Sequence, residues 1–484
     1  MFTLFSRAKP AVPTTPLKLF NTESRTLEVF TPQNAKTVLM YSCGPTVYDY
    51  IHIGNLRSFV FADILKRTLI NNNYQVKNTM NLTDFGHLTD DGDAGEDKMM
   101  KSLKREGKPV TLAAMRELSD FFIDAFVADL QELRIAMPTT FSRASDYVTE
   151  QIQLIKTLEE KGYTYETTDG VYFDISKFPT YGRLGKINLN ELKSGARVEQ
   201  NNEKRHPADF TVWKKGLLGW DSRWGKGFPG WHIECSAMAM ATLGKSIDIH
   251  TGGIDLIGTH HNAEICQSES VTSKKFVNYW LHHEFVTINN GKIGKSLGNA
   301  ISLRQLTDRG FSGDDYRYLL LTTHYRSPLN FSFESLQSAK QALFRLKRHV
   351  YEDYKNTGTR SDATYLERFT AALNNDMDTP KCLALVWELV KDDTLDTGTK
   401  CATLKQFDNV LQIGLSDTLD DALFKLGVVP EADVPLDIQT LINDREAARI
   451  ARNWDESDRL RAQLNFQGYA IEDTPAGPKV SKSN

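Results

Sequence analysis

Cys43, Cys235, His260 and Glu264 supply two thiols, an imidazole and a carboxylate. His260 and Glu264 lie four residues apart in GTHHNAEICQSE, so a helix would present both from one face. The thiols arrive from distant segments, Cys43 after MYS and Cys235 within GWHIECSAMA. Such a set suits zinc, which accepts sulfur, nitrogen and oxygen ligands. Free cysteines are also common small hydrophobes of a core, and a histidine can be a satisfied core residue, so spacing alone leaves both readings open.

A second group of residues suits polyphosphate. His52-Ile53-Gly54-Asn55 sits where a helix should begin, and a helix N-terminus with an imidazole beside it attracts anions. Lys292-Ile293-Gly294-Lys295-Ser296, inside NNGKIGKSLGN, places two cations three residues apart in a glycine-flanked loop that could follow charge as it builds on a leaving phosphate. Alone, each is weak evidence: a histidine by a glycine turn is commonly structural, and a Lys-Gly-Lys loop commonly just solvated.

The elements that must carry these residues follow from periodicity. KTVLMYSCGPTVYDYIHIGN reads as strand, turn and helix N-terminus, the opening of a phosphate-binding α/β unit. Tyr74–Leu82 is strand-like, and Leu112, Met115, Leu118, Phe122, Phe126 and Leu130 mark a helix over about Thr111–Leu133. Tyr163–Lys226 breaks into short β-like pieces with a basic, tryptophan-bearing segment, as an insertion between two halves of the sheet would. Helix-period text is expected from Trp231 to about Tyr279, then a strand-like HEFVTINNGK. Past Phe333 an apolar stripe of Leu336, Ala339, Leu343, Leu346 and Val350 predicts a helical bundle to about Leu426, then a hinge, a final helical piece and a tail.

The 484 residues suggest two to four domains. With 40% hydrophobic and 25% charged residues and a mean hydropathy of −0.40, the chain is an ordinary globular one, and no apolar stretch is long enough to span a membrane. A net charge of −4 and a pI near 6.3 mark no dedicated nucleic-acid binder and exclude no nucleic-acid partner. Five unclustered cysteines suit a reducing compartment. The N-terminal residues include Arg7, Lys9 and Lys18 but no long apolar run, so the expected location is the cytoplasm.

Taken in order, CGPTVYD with HIGN, NLTD, GWHIECSAM, GGIDL with HH and E, and KIGKSLGN resemble the cysteinyl-tRNA synthetases, class I enzymes with HIGH and KMSKS signatures. The likeness runs from LKLFNTESR at Leu17 to EDTPAGP at Glu472. It implies a Rossmann-type α/β catalytic domain with an inserted subdomain, an α-helical bundle and a small C-terminal anticodon-binding domain. The boundaries expected are 17–145 and 231–290 for the two catalytic halves, 146–230 for the insertion, 291–335 for the KMSKS-bearing stem-contact region, 336–426 for the bundle and 427–484 for the anticodon-binding end.

The resemblance also implies an activity: L-cysteine is activated with ATP, accompanied by Mg2+, and passed to the terminal adenosine of tRNA(Cys). It implies one Zn2+ per subunit on Cys43, Cys235, His260 and Glu264, selecting the substrate thiolate over the hydroxyl of serine. His52, Asn55, Lys292 and Lys295 become the catalytic set; His52, Gly54, Asn55, Asp255 and Lys295 the ATP contacts; Thr83 and Trp231 the contacts to cysteine. His232 and His261 would support the zinc ligands. A monomer is implied.

Four departures from the family pattern stand out. One is near the C-terminus, where PKVSKSN follows EDTPAG in place of the family's aromatic or basic pair, after an expected helix over Asp444–Arg461 with five acids and five arginines. Asn55 replaces the second histidine of HIGH, Gly294 the serine of KMSKS, and Asn262 the middle acid of HHENE. Two other activities share much of this pattern: a mycothiol ligase joining cysteine to an aminosugar, and a non-catalytic paralogue binding RNA or cysteine. The long region from Phe333 to Asn484 has no task in the first, and the retained lysines and ligands argue against the second.

Overall fold

Apolar runs too dense to alternate, such as TVLMYS and VNYWLHH, fold here as strands covered on both faces. The computed structural model describes residues 15–88, 96–187, 202–288, 291–293, 298–354, 358, 360–418, 434–474 and 477–482. A hairpin of β1 (Lys18–Asn21) and β2 (Thr26–Val29) leads into β3 (Thr37–Ser42), β4 (Gln75–Leu82) and β5 (Thr140–Arg143). An antiparallel sheet of β6 (Thr164–Glu166), β7 (Gly170–Phe173), β8 (Phe210–Trp220) and β9 (Gly227–Pro229) interrupts the fold before β10 (Ile247–Gly253) and β11 (Val277–His283) complete the main sheet.

The main sheet has the order β11-β10-β3-β4-β5, with every neighbouring pair parallel. The chain builds outward from β3 to β5, then resumes on the other side of β3. The order therefore reverses between β3 and β10, and open α/β sheets bind ligands beyond the carboxyl ends of their strands at such a point. Cys43 is the first residue past β3, and its N–H bonds the Thr251 carbonyl of β10 at 3.1 Å.

Helices Ile53–Asn71 and Leu112–Glu132 cover this sheet, the second burying Met115, Leu118, Phe122, Phe126 and Leu130. The text from Trp231 to Tyr279 is not one helical stretch as expected. Gly244, at φ 108°, ends helix Trp231–Leu243; IDIHTGG then enters the sheet as β10, and helix His260–Thr272 follows. Both helices are buried nearly all round, so their apolar spacing says little about where they stop.

After β11, the strands β12 (Val286–Ile288), β13 (Gly291–Lys292) and β14 (Leu329–Phe331) form a small sheet of order β13-β12-β14. Helices Phe333–Arg348, Ala363–Asn374, Thr379–Lys391 and Thr397–Leu411 follow. Asp362, Asp378 and Asp396 each accept a backbone N–H at the start of the next helix, the usual remedy for its unpaired amides.

Residues 434–482 hold two helices, Leu436–Ile450 and Trp454–Phe466, and a hairpin of β15 (Tyr469–Thr474) and β16 (Gly477–Lys482). Their small core is Val434, Ile438, Ile442 and Leu464. The expected tail is therefore a hairpin, and the expected helix across Asp444–Arg461 breaks at Arg452, which has φ 59°. Arg445, Arg449 and Arg461 converge on Asp473 of the hairpin, so three of the five arginines in that stretch hold the unit together. Among the described residues no helix is long and apolar enough to cross a membrane.

Candidate metal and nucleotide site

Three elements deliver the four donors: the end of β3 brings Cys43, helix Trp231–Leu243 brings Cys235, and helix His260–Thr272 brings His260 and Glu264 one turn apart. One donor atom from each lies within 4.8 Å of the other three. A second grouping, Cys43, His250, His261 and Glu264, meets the same distance. The first has two thiols, which favour zinc over harder cations, whereas His250 and His261 already serve as supports.

Each support can be traced. His250 Nε2 lies 2.9 Å from Glu264 Oε2, leaving Oε1 without a hydrogen-bond donor and 3.1 Å from His260 Nε2. His232 Nδ1 lies 2.9 Å from His260 Nδ1, and His261 Nε2 lies 3.3 Å from Cys43 Sγ. Behind His261 stand His282 at 2.7 Å and then Thr22 at 2.8 Å. The histidines between Trp231 and Glu284 are thus mainly a buried shell behind the donors.

Burial and mutual charge set the electrostatics of the four donors. Burial and the neighbouring Cys43 hold the Cys235 thiol well above the ordinary range. Cys235 lowers Cys43, but burial with Glu264, Asp255 and Glu234 leaves that thiol raised as well. Burial opposes a charge on His260, yet Cys235 and Glu264 push it up to about 10. Burial likewise opposes the Glu264 charge, and His250 and His260 bring it down to about 2. An orphaned carboxylate oxygen, two thiols and an imidazole at one point fit zinc by chemistry and by position.

Glycines make the approach possible. A Cβ on Gly44 would stand 1.7 Å from the Asn81 carbonyl, and one on Gly252 would stand 2.6 Å from His261. Asn81 Oδ1 accepts the Gly44 N–H at 2.7 Å, and its amide donates to Thr83 Oγ1 at 3.1 Å. Thr83 in turn donates to Glu234 Oε1 at 2.9 Å. This chain ties the turn after Cys43 to the residue before Cys235.

The ring of Trp231 lies 4.5 Å from that of His260 and stacks at 4.0 Å on His87. His87 also meets Thr46 Oγ1 at 2.5 Å and Lys98 Nζ at 2.7 Å. Thr83 and Trp231 therefore flank the donor cluster. Asp255 lies two residues past the end of β10, and a Cβ on Gly253 would fall 2.3 Å from its Oδ1.

His52 caps helix Ile53–Asn71, its Nδ1 accepting the Asn55 N–H at 3.2 Å, while the Asn55 side chain is exposed. The Ile53 N–H bonds the Ile301 carbonyl at 2.7 Å, and Ile293 is buried with its Cδ1 3.4 Å from where a Gly54 Cβ would lie. The two signature segments thus touch. Gly294 and Lys295 fall outside the described residues, as does the Lys292 side chain; the Lys292 backbone pairs with Thr287 in β13.

Sequence reasoning did not single out Asn81, Glu234, His87, Lys98 or Arg57. Asn81 and Glu234 carry a signal in hindsight, each lying within a motif already used, NLTD and WHIEC.

Residues 29–341 match the family model of the class I tRNA synthetase (C) catalytic domain. Cysteine–tRNA ligase 1 of Burkholderia lata is 44% identical over 472 residues, spanning 96% of this chain and 97% of that protein. The cysteine–tRNA ligase of Treponema denticola is 42% identical over 94% of this chain and 98% of its own. At the level of fold, a methionyl-tRNA synthetase of Mycobacterium tuberculosis in complex with methionyl-adenylate matches with a TM-score of 0.57, at 15% identity, over 82% of this chain and 95% of that one. A leucyl enzyme of Agrobacterium radiobacter K84, solved as a ternary complex with tRNA, matches at 0.60 with 11% identity over 83% and 86%. By residues, fold and relatives together, the chain belongs to the cysteine–tRNA ligases of the class I tRNA synthetases.

Proposed function

We propose that the chain activates L-cysteine with ATP and Mg2+ and charges tRNA(Cys), and that Cys43, Cys235, His260 and Glu264 hold one zinc ion that selects the substrate. The observation that carries the zinc reading is the convergence of those four donor atoms within 4.8 Å, each of three of them backed by a buried histidine. When bound, zinc supplies a Lewis-acid centre that takes a soft thiolate in strong preference to a hydroxyl. A pocket selecting by shape alone would separate cysteine from serine by only about 1–3 kcal/mol.

The remaining roles belong to the chain itself. The cysteine carboxylate attacks the α-phosphorus of ATP, the bond to pyrophosphate breaks, and cysteinyl-adenylate forms. His52, Gly54 and Asn55 receive the phosphates at the start of helix Ile53–Asn71, and Lys292 and Lys295 balance the charge that grows on pyrophosphate. Asp255, exposed at the end of β10, meets the adenosine ribose. Thr83 and Trp231 wall the amino-acid pocket. In the second step a ribose hydroxyl of the tRNA terminal adenosine attacks the adenylate carbonyl and AMP leaves. Positioning does most of the work, because no step needs a side-chain nucleophile.

Regions 291–335 and 336–426 face the body of the tRNA and 427–484 its anticodon. Trp454, at 60% exposure the largest exposed ring of that last unit, suits base stacking. None of the five cysteines is in a disulfide, in keeping with work in the cytoplasm, and we assign a monomer. The test is charging of purified tRNA with cysteine against serine, alongside metal analysis. Cysteine charging with one zinc per chain is expected; equal charging by serine, or full activity without metal, overturns the reading.

A further inference from the structure

We infer that the open oxygen of Glu234 is the acceptor for the α-ammonium group of the substrate, a role that rests on the proposed seating of the cysteine thiolate at the four-donor cluster. Two carbons separate sulfur from nitrogen in cysteine, so the ammonium group must fall within a side chain's reach of that cluster. A cation brought into so buried a site needs a polar partner there, or its desolvation opposes binding.

Few carboxyls are available for this. Glu264 is one of the four donors, and its other oxygen is held by His250. Asp84 is filled by Arg143 and by the hydroxyl and N–H of Ser145. Asp255 is exposed and follows β10 on the side assigned to the nucleotide. Glu234 is 1% exposed, stands one residue before the donor Cys235 and is bonded to Thr83, already assigned to the substrate.

Its two oxygens are used unequally. Asn81 donates to Thr83, which fixes the Thr83 hydroxyl as a donor to Glu234 Oε1 at 2.9 Å. Oε2 has no hydrogen-bond partner among the described residues. A buried carboxyl oxygen left unpaired costs stability, and an ammonium group seated beside Thr83 would pair it. The Asn81–Thr83 chain then aims the carboxyl, and Glu234 reads the amino group as the cluster reads the thiol.

The test removes each partner in turn. Glu234→Gln keeps an acceptor for Thr83 but offers N–H donors where the ammonium group would sit. Equilibrium binding of cysteine and of 3-mercaptopropionate, which is cysteine without its amino group, is measured for wild type and variant, with zinc per chain and the KM and kcat of pyrophosphate exchange. Expected is a loss of at least about ten-fold in cysteine affinity, seen in KM more than kcat, with 3-mercaptopropionate affinity and zinc content unchanged. Equal weakening of both ligands, or of neither, overturns the inference. Glu234→Asp, which withdraws the same group by one methylene, should fall between and serves if the amide variant does not fold. Failure of wild type to bind either thiol would instead sink the zinc reading beneath it.

Discussion

Arg57, two residues past Asn55 on the His52-capped helix, donates to the carbonyl of Phe285, the residue just before β12, at 2.7 Å. The same guanidinium bonds the carbonyls of His324 at 3.1 Å and Ser327 at 2.7 Å and is 3% exposed. One buried side chain thereby fixes the phosphate-side helix to the strand that leads towards Lys292. Arg57→Met would strip the Ser327 carbonyl of its donor and leave the Phe285 and His324 carbonyls with only the N–H groups of Leu329 and Ser327, and should cost about 3 kcal/mol, with a raised KM for ATP. Denaturant melts and ATP-dependent exchange kinetics check it; unchanged values for both would contradict it.

Cys235→Ser and Glu264→Ala each remove one donor while leaving the other three in place. Both variants should lose bound zinc, and cysteine-dependent exchange should fall by at least about a hundred-fold. Full exchange from metal-free protein would show that the cluster is only structural.

Gly44 has no room for a side chain against the Asn81 carbonyl. Gly44→Ala must therefore displace the turn that follows Cys43, and the expected result is a marked loss of both thermal stability and zinc stoichiometry.

Asp314 sits between Arg134 and Lys347, bonded to Lys347 at 2.6 Å and to Arg134 at 2.5 and 2.9 Å. Burial opposes its charge, but these two cations hold the carboxyl well below the ordinary range. A depressed carboxyl adds stability that is fully present above its unfolded pKa and is lost as pH falls through its folded one. Stability should thus decline below about pH 4, and the decline should be smaller in Asp314→Asn. That variant should itself lose about 3 kcal/mol at neutral pH, measurable in denaturant.

Asn262 occupies a place where the family resemblance has an acid. Here its amide donates to the carbonyls of Leu184 at 3.0 Å and Ile257 at 2.7 Å, and its oxygen accepts the Leu184 N–H at 3.3 Å. An acid cannot make those donations, so Asn262→Asp should destabilise by about 1–3 kcal/mol, read as a lowered melting temperature.

Much of the site was legible because its residues announce themselves locally. Cys43 stands just beyond a strand-length run, and His260 and Glu264 share a one-turn spacing, so their convergence needs only one fold to explain it. The supports were harder to see. His250 meets Glu264, and Asn81 joins Gly44 to Thr83 and Glu234, only after β3, β4 and β10 are set side by side, and periodicity carries no register across such distances. The stretch from Trp231 to Tyr279 misled for a related reason: burial on every side erases the pattern that separates helix from strand. The C-terminal hairpin was hidden because its strands are largely polar, with only Tyr469, Ile471 and Val480 packed on the small core and arginine pairs with Asp473 holding it from the side.

The pairing of β3 with β10 has a consequence for how the molecule is made. Its Met40–Ile249 partners are joined only after the whole insertion has been synthesised between them. Closing so long a loop carries an entropic cost that local contacts do not repay, and non-local pairings of this kind slow folding. A chain emerging from the ribosome can therefore form β3, β4 and β5 early, yet its four donors cannot come together until helix His260–Thr272 has followed. Until then Cys43 is a lone thiol at an unfinished sheet edge, and the four-donor cluster is completed only late in synthesis.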